Sequence, residues 1–152
     1  MKIKYTYQFY CALSILSGRF EIKIDTNNQT FEYNNILAFG DETKGTCNID
    51  KKVCDEIEEH NEELLLLSLL DGRNYESSIR YSAILDDYFT IEIENIGKNQ
   101  IIISRLEKKE NIKEFQYLLV ILDVLSNALI KNCIELKYNS LTINGKELSL
   151  IE

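Results

Sequence analysis

Apolar and polar residues alternate from the start of the chain. Ile3, Tyr5, Tyr7, Phe9, Cys11, Leu13 and Ile15 fall on one side, and Lys2, Lys4, Thr6, Gln8 and Ser14 on the other. A period of two over this length predicts a long, half-buried strand, bent near Cys11. Ser17-Gly18 reads as a turn, after which Phe20, Ile22 and Ile24 alternate with Arg19, Glu21, Lys23 and Asp25. Asn27-Asn28 reads as a second turn, and Phe31 and Tyr33 as a third, short strand in an antiparallel meander. Residues 34–49, with Gly40 and Gly45, read as a connecting loop.

The period then changes. Val53, Ile57, His60, Leu64 and Leu67 recur at spacings of three and four, the stripe of one amphipathic helix. Asp50 is its expected N-cap, Asp55 and Glu56 lie near the positive end of its dipole, and Asp71-Gly72 is its expected stop. Alternation returns at Ile79, Tyr81, Ala83 and Leu85, with a polar turn at Asp86-Asp87, then a strand through Phe89, Ile91 and Ile93. A loop with Gly97 leads to the stretch IIISRL at 101–106. Asn111 is expected to cap a long helix to about residue 133, carrying Ile112, Phe115, Leu118, Leu119, Leu122, Leu125 and Leu129 on one broad face. Val120, Ile121, Val124 and Ile130 widen that face, which predicts burial on most sides. Leu136–Ile143 and Leu148–Ile151 flank Asn144-Gly145, a type I′ hairpin signal.

The order predicted is βββα-βββα-ββ, an α+β fold with two main helices packed on antiparallel sheet. Residues 1–152 are read as one domain, with 1–72 and 73–152 as two similarly ordered halves that show no residue-level repeat. At 152 residues the chain can bury a core without staples. No run of 18 apolar residues occurs, so no membrane span is expected. The apolar run at 9–16 is short and lacks a small-x-small cleavage site, so a cytoplasmic protein is expected. Cys11, Cys47, Cys54 and Cys133 are dispersed without CxxC spacing and read as free thiols.

Charge sharpens the picture. The net charge is −8, and residues 41–63 hold nine carboxylates against three lysines. Direct nucleic-acid binding is disfavoured, because phosphate neutralisation needs clustered cations. A basic protein partner is allowed.

Catalytic signals are weak. Glu56, His60 and Glu63 could share a helical face, but a single imidazole falls short of the usual metal-ligand sets. Cys54 near a helix start could be an activated thiol, yet His60 is on another face and gives it no base. No nucleophile elbow, dinucleotide fingerprint or phosphate-binding loop is present. Asp86-Asp87 fits a turn better than a catalytic carboxylate pair. No enzyme, cofactor or metal is implied. Tyr5, Tyr7 and Tyr81 are in phase with apolar residues and read as core edge. Tyr10, Tyr33, Tyr75, Tyr88 and Tyr138 sit at expected strand ends or turns, where exposed rings would suit a protein contact.

The leading expectation is an inhibitor that binds a basic effector through an acidic loop-helix surface made by Asp41, Glu42, Asp55, Glu56, Glu59, Glu62 and Glu63. In being small, acidic and without catalytic motifs, the chain resembles toxin-immunity and phage anti-defence proteins as a class. The alternative is a homo-oligomeric structural or adaptor domain, such as a homodimer, suggested by the edge of the N-terminal meander and the apolar excess of residues 111–133.

Overall fold

The computed structural model describes residues 1–11, 18–36, 42–70, 85–104 and 108–149. The fold is α+β, with two antiparallel sheets and three α-helices among the described residues. Strands β1 (Lys2–Cys11), β2 (Gly18–Asp25), β3 (Thr30–Ile36) and β4 (Glu42–Asn48) are followed by α1 (Lys51–Glu59), α2 (Asn61–Leu64) and a 3₁₀ turn over Leu65–Leu69. Strands β5 (Leu85–Ile93) and β6 (Gly97–Ser104) precede α3 (Lys113–Leu129), then β7 (Ile134–Lys137), β8 (Ser140–Ile143) and β9 (Lys146–Ser149). Six strands form one sheet in the order β4-β3-β2-β1-β5-β6, and β7-β8-β9 form a second.

The alternation dictates the faces. Ile3, Tyr5 and Tyr7 of β1 stand opposite Ile24, Ile22 and Phe20 of β2 and Ile93, Ile91 and Phe89 of β5. All of these are buried, and they join α1, α3, Ile134, Leu136 and Leu141 in one core cluster. A one-residue slip of β2 would trade Phe20, Ile22 and Ile24 for Arg19, Glu21 and Lys23. At roughly 1.5–3 kcal/mol per fully buried large side chain, that slip is prohibited, so burial sets the register. The opposite sheet face carries Lys4, Thr6, Glu21, Lys23, Glu32, Thr90 and Glu92, all exposed or half-exposed.

Several expectations change. Residues 42–48 are a strand rather than loop, paired with β3 over seven residues. Asp86 and Asp87 lie inside β5, not in a turn; the hairpin bend is at Asn95 and Gly97, both at positive φ. The expected strand at 79–85 lies outside the described residues except for Leu85, the first residue of β5. Both sets of strands enter one sheet through the β1–β5 ladder, so the order βββα-βββα-ββ is matched only roughly. The long helix starts at Lys113, after a 3₁₀ turn over Lys109–Asn111, and Ile112 rather than Asn111 precedes it. It is not buried on most sides: Val120 and, just beyond its end, Ile130 are exposed. The expected strand 136–143 is a hairpin, β7 to β8, and Asn144-Gly145 makes the following turn with both φ values positive, as a type I′ turn requires. Among the described residues, no helix is long and apolar enough to cross a membrane.

Candidate protein-binding surface

The acidic stretch is not one helix. Val53, Cys54 and Ile57 bury one side of α1. The helix stops at His60, whose ψ of 36° leaves the helical region and whose N–H reaches the Ile57 carbonyl at 3.3 Å, a tightened last turn. The leucines beyond it account for the tighter winding. Leu64, Leu67 and Leu70 recur every three residues and are all buried, which suits three residues per turn rather than 3.6. Leu65 and Ser68 take the opposite side and are exposed. Asp50 has extended φ and ψ at the N-cap but gives no side-chain cap, and the first turn holds Lys51 and Lys52 instead of acids. The expected stop at Asp71-Gly72 lies outside the described residues.

The carboxylates divide into two groups. Glu56 is half-buried and ion-paired with Lys131 from beyond α3. Glu58 accepts a hydrogen bond from Thr26 Oγ1 at 2.6 Å and lies 3.9 Å from the N-terminal amine. Glu63 lies 3.5 Å from His60 Nδ1. Asp55, Glu59 and Glu62 are exposed, and among the described residues no cation comes within ion-pair distance of them. Glu42 is exposed at the far end of β4, about 20 Å of strand from the start of α1 at 3.4 Å per residue. It does not join the helical carboxylates. Asp41 lies outside the described residues. Among the described residues, no three His, Cys, Asp or Glu side chains gather as a metal site; Glu56 turns to Lys131 and leaves only Glu63 beside His60. Exposed Leu65 adds an apolar element beside the acids and helps line a shallow depression of about 490 Å³ with Met1, Asn61 and Ile96.

The surroundings of Cys54 oppose thiolate formation. The residue is buried, and that burial, with the carboxylates of Asp55, Glu58 and Asp25 nearby, raises its thiol pKa above the ordinary value. His60 is half-exposed and not part of the core stripe.

A second constellation escaped sequence reasoning. Asp87 shares its parity with Phe89, Ile91 and Ile93, so it faces the core, and only 1% of its surface is exposed. Tyr7 Oη donates to Asp87 Oδ1 at 2.8 Å, and Lys109 Nζ lies 2.6 Å from Asp87 Oδ2. Tyr138 packs edge-on against Tyr7 and Phe115, and its carbonyl accepts from Tyr5 Oη at 2.7 Å. Burial raises the Tyr5 hydroxyl pKa well above the usual value. The group therefore ties the approach to α3 to the centre of the sheet. Tyr138 and Tyr33 are half-buried packing residues rather than exposed contacts, and Tyr88 is half-exposed on the polar sheet face. Tyr75 and Tyr81 lie outside the described residues, as does the Tyr10 side chain.

No protein-family model matches this chain, and comparison with curated proteins returns no match.

Proposed function

We propose that this chain is a small inhibitor that binds a basic, nucleic-acid-handling effector and blocks its cationic working face through the α1–α2 segment. The observation that carries this reading is the trio Asp55, Glu59 and Glu62, exposed on α1–α2 and without an ion-pair partner among the described residues. Carboxylates already engaged inside the fold, such as Glu56, have less to offer a partner. Unpaired exposed ones retain their field and can steer a cationic protein toward association rates of about 10⁸–10⁹ M⁻¹s⁻¹ at low salt.

The test has two stages. Immobilised protein is exposed to lysate of its native cell at low and high salt, and a captured partner is then purified and titrated directly. A basic protein bound at low salt is expected, with its nuclease or nucleic-acid-binding activity blocked at equal stoichiometry. Replacing Asp55, Glu59 and Glu62 by Lys together removes three attractions and adds repulsion. At about 0.5–1 kcal/mol for each ion pair removed, with a similar repulsion added, the loss is about 3–6 kcal/mol, so affinity should fall by at least roughly 100-fold. Capture of no basic protein, or binding indifferent to both salt and charge reversal, would refute the reading.

A further inference from the structure

The geometry points to a homodimer in which two copies of β4 pair antiparallel about Gly45, joining the two six-stranded sheets edge to edge. Among the described residues, nothing pairs with the outer side of β4, the terminal strand of the sheet. The strand runs seven residues in unbroken register against β3, with no proline. Long regular edges of this kind are templates for another strand unless charge, proline or a bulge blocks them.

Which backbone groups are free is set by the ladder. Ile49 N–H bonds the Gln29 carbonyl at 2.9 Å, and residues 29 and 49 continue the β3–β4 register. In an antiparallel pair, bonded and non-bonded pairs alternate. Thr43, Gly45, Cys47 and Ile49 therefore bond inward to β3, and Glu42, Lys44, Thr46 and Asn48 direct their N–H and C=O groups outward.

That parity restricts how a second copy can dock. Outward residues must meet outward residues. Centring on Gly45 meets this condition and uses the whole strand. It sets Lys44 against Thr46 of the partner subunit and Glu42 against Asn48 of the partner subunit, with no like charges face to face. Centring on Lys44 also satisfies parity, but it opposes lysine to lysine and shortens the ladder, and like charges directly opposite destabilise a sheet. The glycine sits where the two copies meet, and the Tyr33 ring of its own chain covers it. The strand thus disfavours the register its single lysine would spoil and permits the longest one. The dimer depends on β4 and not on the acidic segment.

The pairing makes a distance prediction that separates it from other dimers. Thr43 meets Cys47 of the partner subunit in a non-hydrogen-bonded pair, where Cα atoms are about 4.5 Å apart, within disulfide reach. Within one chain the same residues are about 13 Å apart along the strand, beyond it. The Thr43→Cys variant should form an interchain disulfide with Cys47 on mild oxidation, lost when Cys47→Ser is added. Sedimentation of the wild type should give twice the protomer mass. Thr46→Pro, which removes an outward donor and spares the bonds to β3, should give the protomer mass with an unchanged circular dichroism spectrum. A wild type that stays monomeric across the micromolar to millimolar range would overturn the proposal. So would a Thr43→Cys variant that yields no covalent dimer, or one that crosslinks equally without Cys47. Should Thr46→Pro fail to fold, the disulfide result decides alone.

Discussion

The buried contact among Asp87, Lys109 and Tyr7 can be weighed by removing one partner at a time. Asp87 is 1% exposed and the Lys109 side chain 18%, so the pair sits mostly out of water. Taking one partner from a buried pair costs about 3–5 kcal/mol, because the remaining charge keeps its desolvation penalty and loses that partner's attraction. Lys109 is not fully enclosed, so Lys109→Met belongs near about 3 kcal/mol, the lower end of that range. Tyr7→Phe keeps the ring against Phe20 and Phe89 and deletes only the hydroxyl; a hydrogen bond to a charged group is worth about 1.5–3 kcal/mol. Urea denaturation measures both. With a slope of about 1–3 kcal/mol/M, the Lys109→Met midpoint should fall by roughly 1–3 M. The variant carrying both Asp87→Leu and Lys109→Met should be less destabilised than the sum of the single changes, since removing both charges relieves the buried one. If Lys109→Met costs under about 1 kcal/mol, the pair behaves as an exposed one and the account of it as an internal anchor for α3 fails.

The same geometry governs single residues elsewhere in the fold. Cys54, buried and with a raised pKa, should resist alkylation at neutral pH until denaturant is added, whereas exposed Cys133 should react at once; peptide mass spectrometry distinguishes them. Asp25 accepts from the backbone N–H groups of Asn28 and Asn27 and from the Asn28 side chain, which lowers its pKa. A depressed carboxylate pKa means this turn contributes stability above the unfolded pKa and loses it as pH falls through the folded one. Asp25→Asn should abolish that part of the acid-side dependence in a pH series of melting temperatures. Gly45→Ala would bring a methyl group onto the Tyr33 ring, and overpacking of that kind costs about 1–3 kcal/mol, readable as a lower melting temperature. Gly145→Ala, at φ 81°, should cost on the order of 1 kcal/mol in the β8–β9 hairpin by thermal melting, because only glycine adopts that conformation freely.

What the residue pattern disclosed was the set of half-buried strands. In β1, β2 and the latter part of β5, one face is core and the other water, so period-two alternation states the burial directly. It failed where another force set the structure. β4 looked like loop because Glu42, Thr43, Lys44 and Gly45 carry no apolar alternation; its core side is filled by Tyr33 reaching across from β3, a contact no local window contains. Asp86-Asp87 looked like a turn because aspartate favours turns, yet the parity with Phe89 and Ile91 already placed Asp87 inward. Its partners, 80 residues away at Tyr7 and 22 residues later at Lys109, were beyond local reading. The helix at 51–70 was right in outline and wrong in period, because leucines three apart serve a 3₁₀ turn as well as they serve a helix.

The acidic segment shows the same division between charge and pairing. Sequence counts carboxylates; only the fold says which are already engaged. On the polar sheet face, Lys4 and Lys23 stand directly opposite each other, an unfavourable pair by itself. Glu21 offsets them: Lys4 and Lys23 each lie 3.6 Å from its carboxylate, and Arg19 lies 2.7 Å away. Exposed Glu32 and Glu92 bring the carboxylates of that face to three, against Lys4, Arg19 and Lys23, so the charge there is mixed in sign. On α1–α2, Lys131 and Thr26 engage Glu56 and Glu58, while Asp55, Glu59 and Glu62 face solvent with no ion-pair partner among the described residues. Among the described residues, opposite charges are thus interspersed on the open sheet face, and carboxylates without ion-pair partners gather at α1–α2. This places the interface prediction on three carboxylates rather than on the whole acidic stretch.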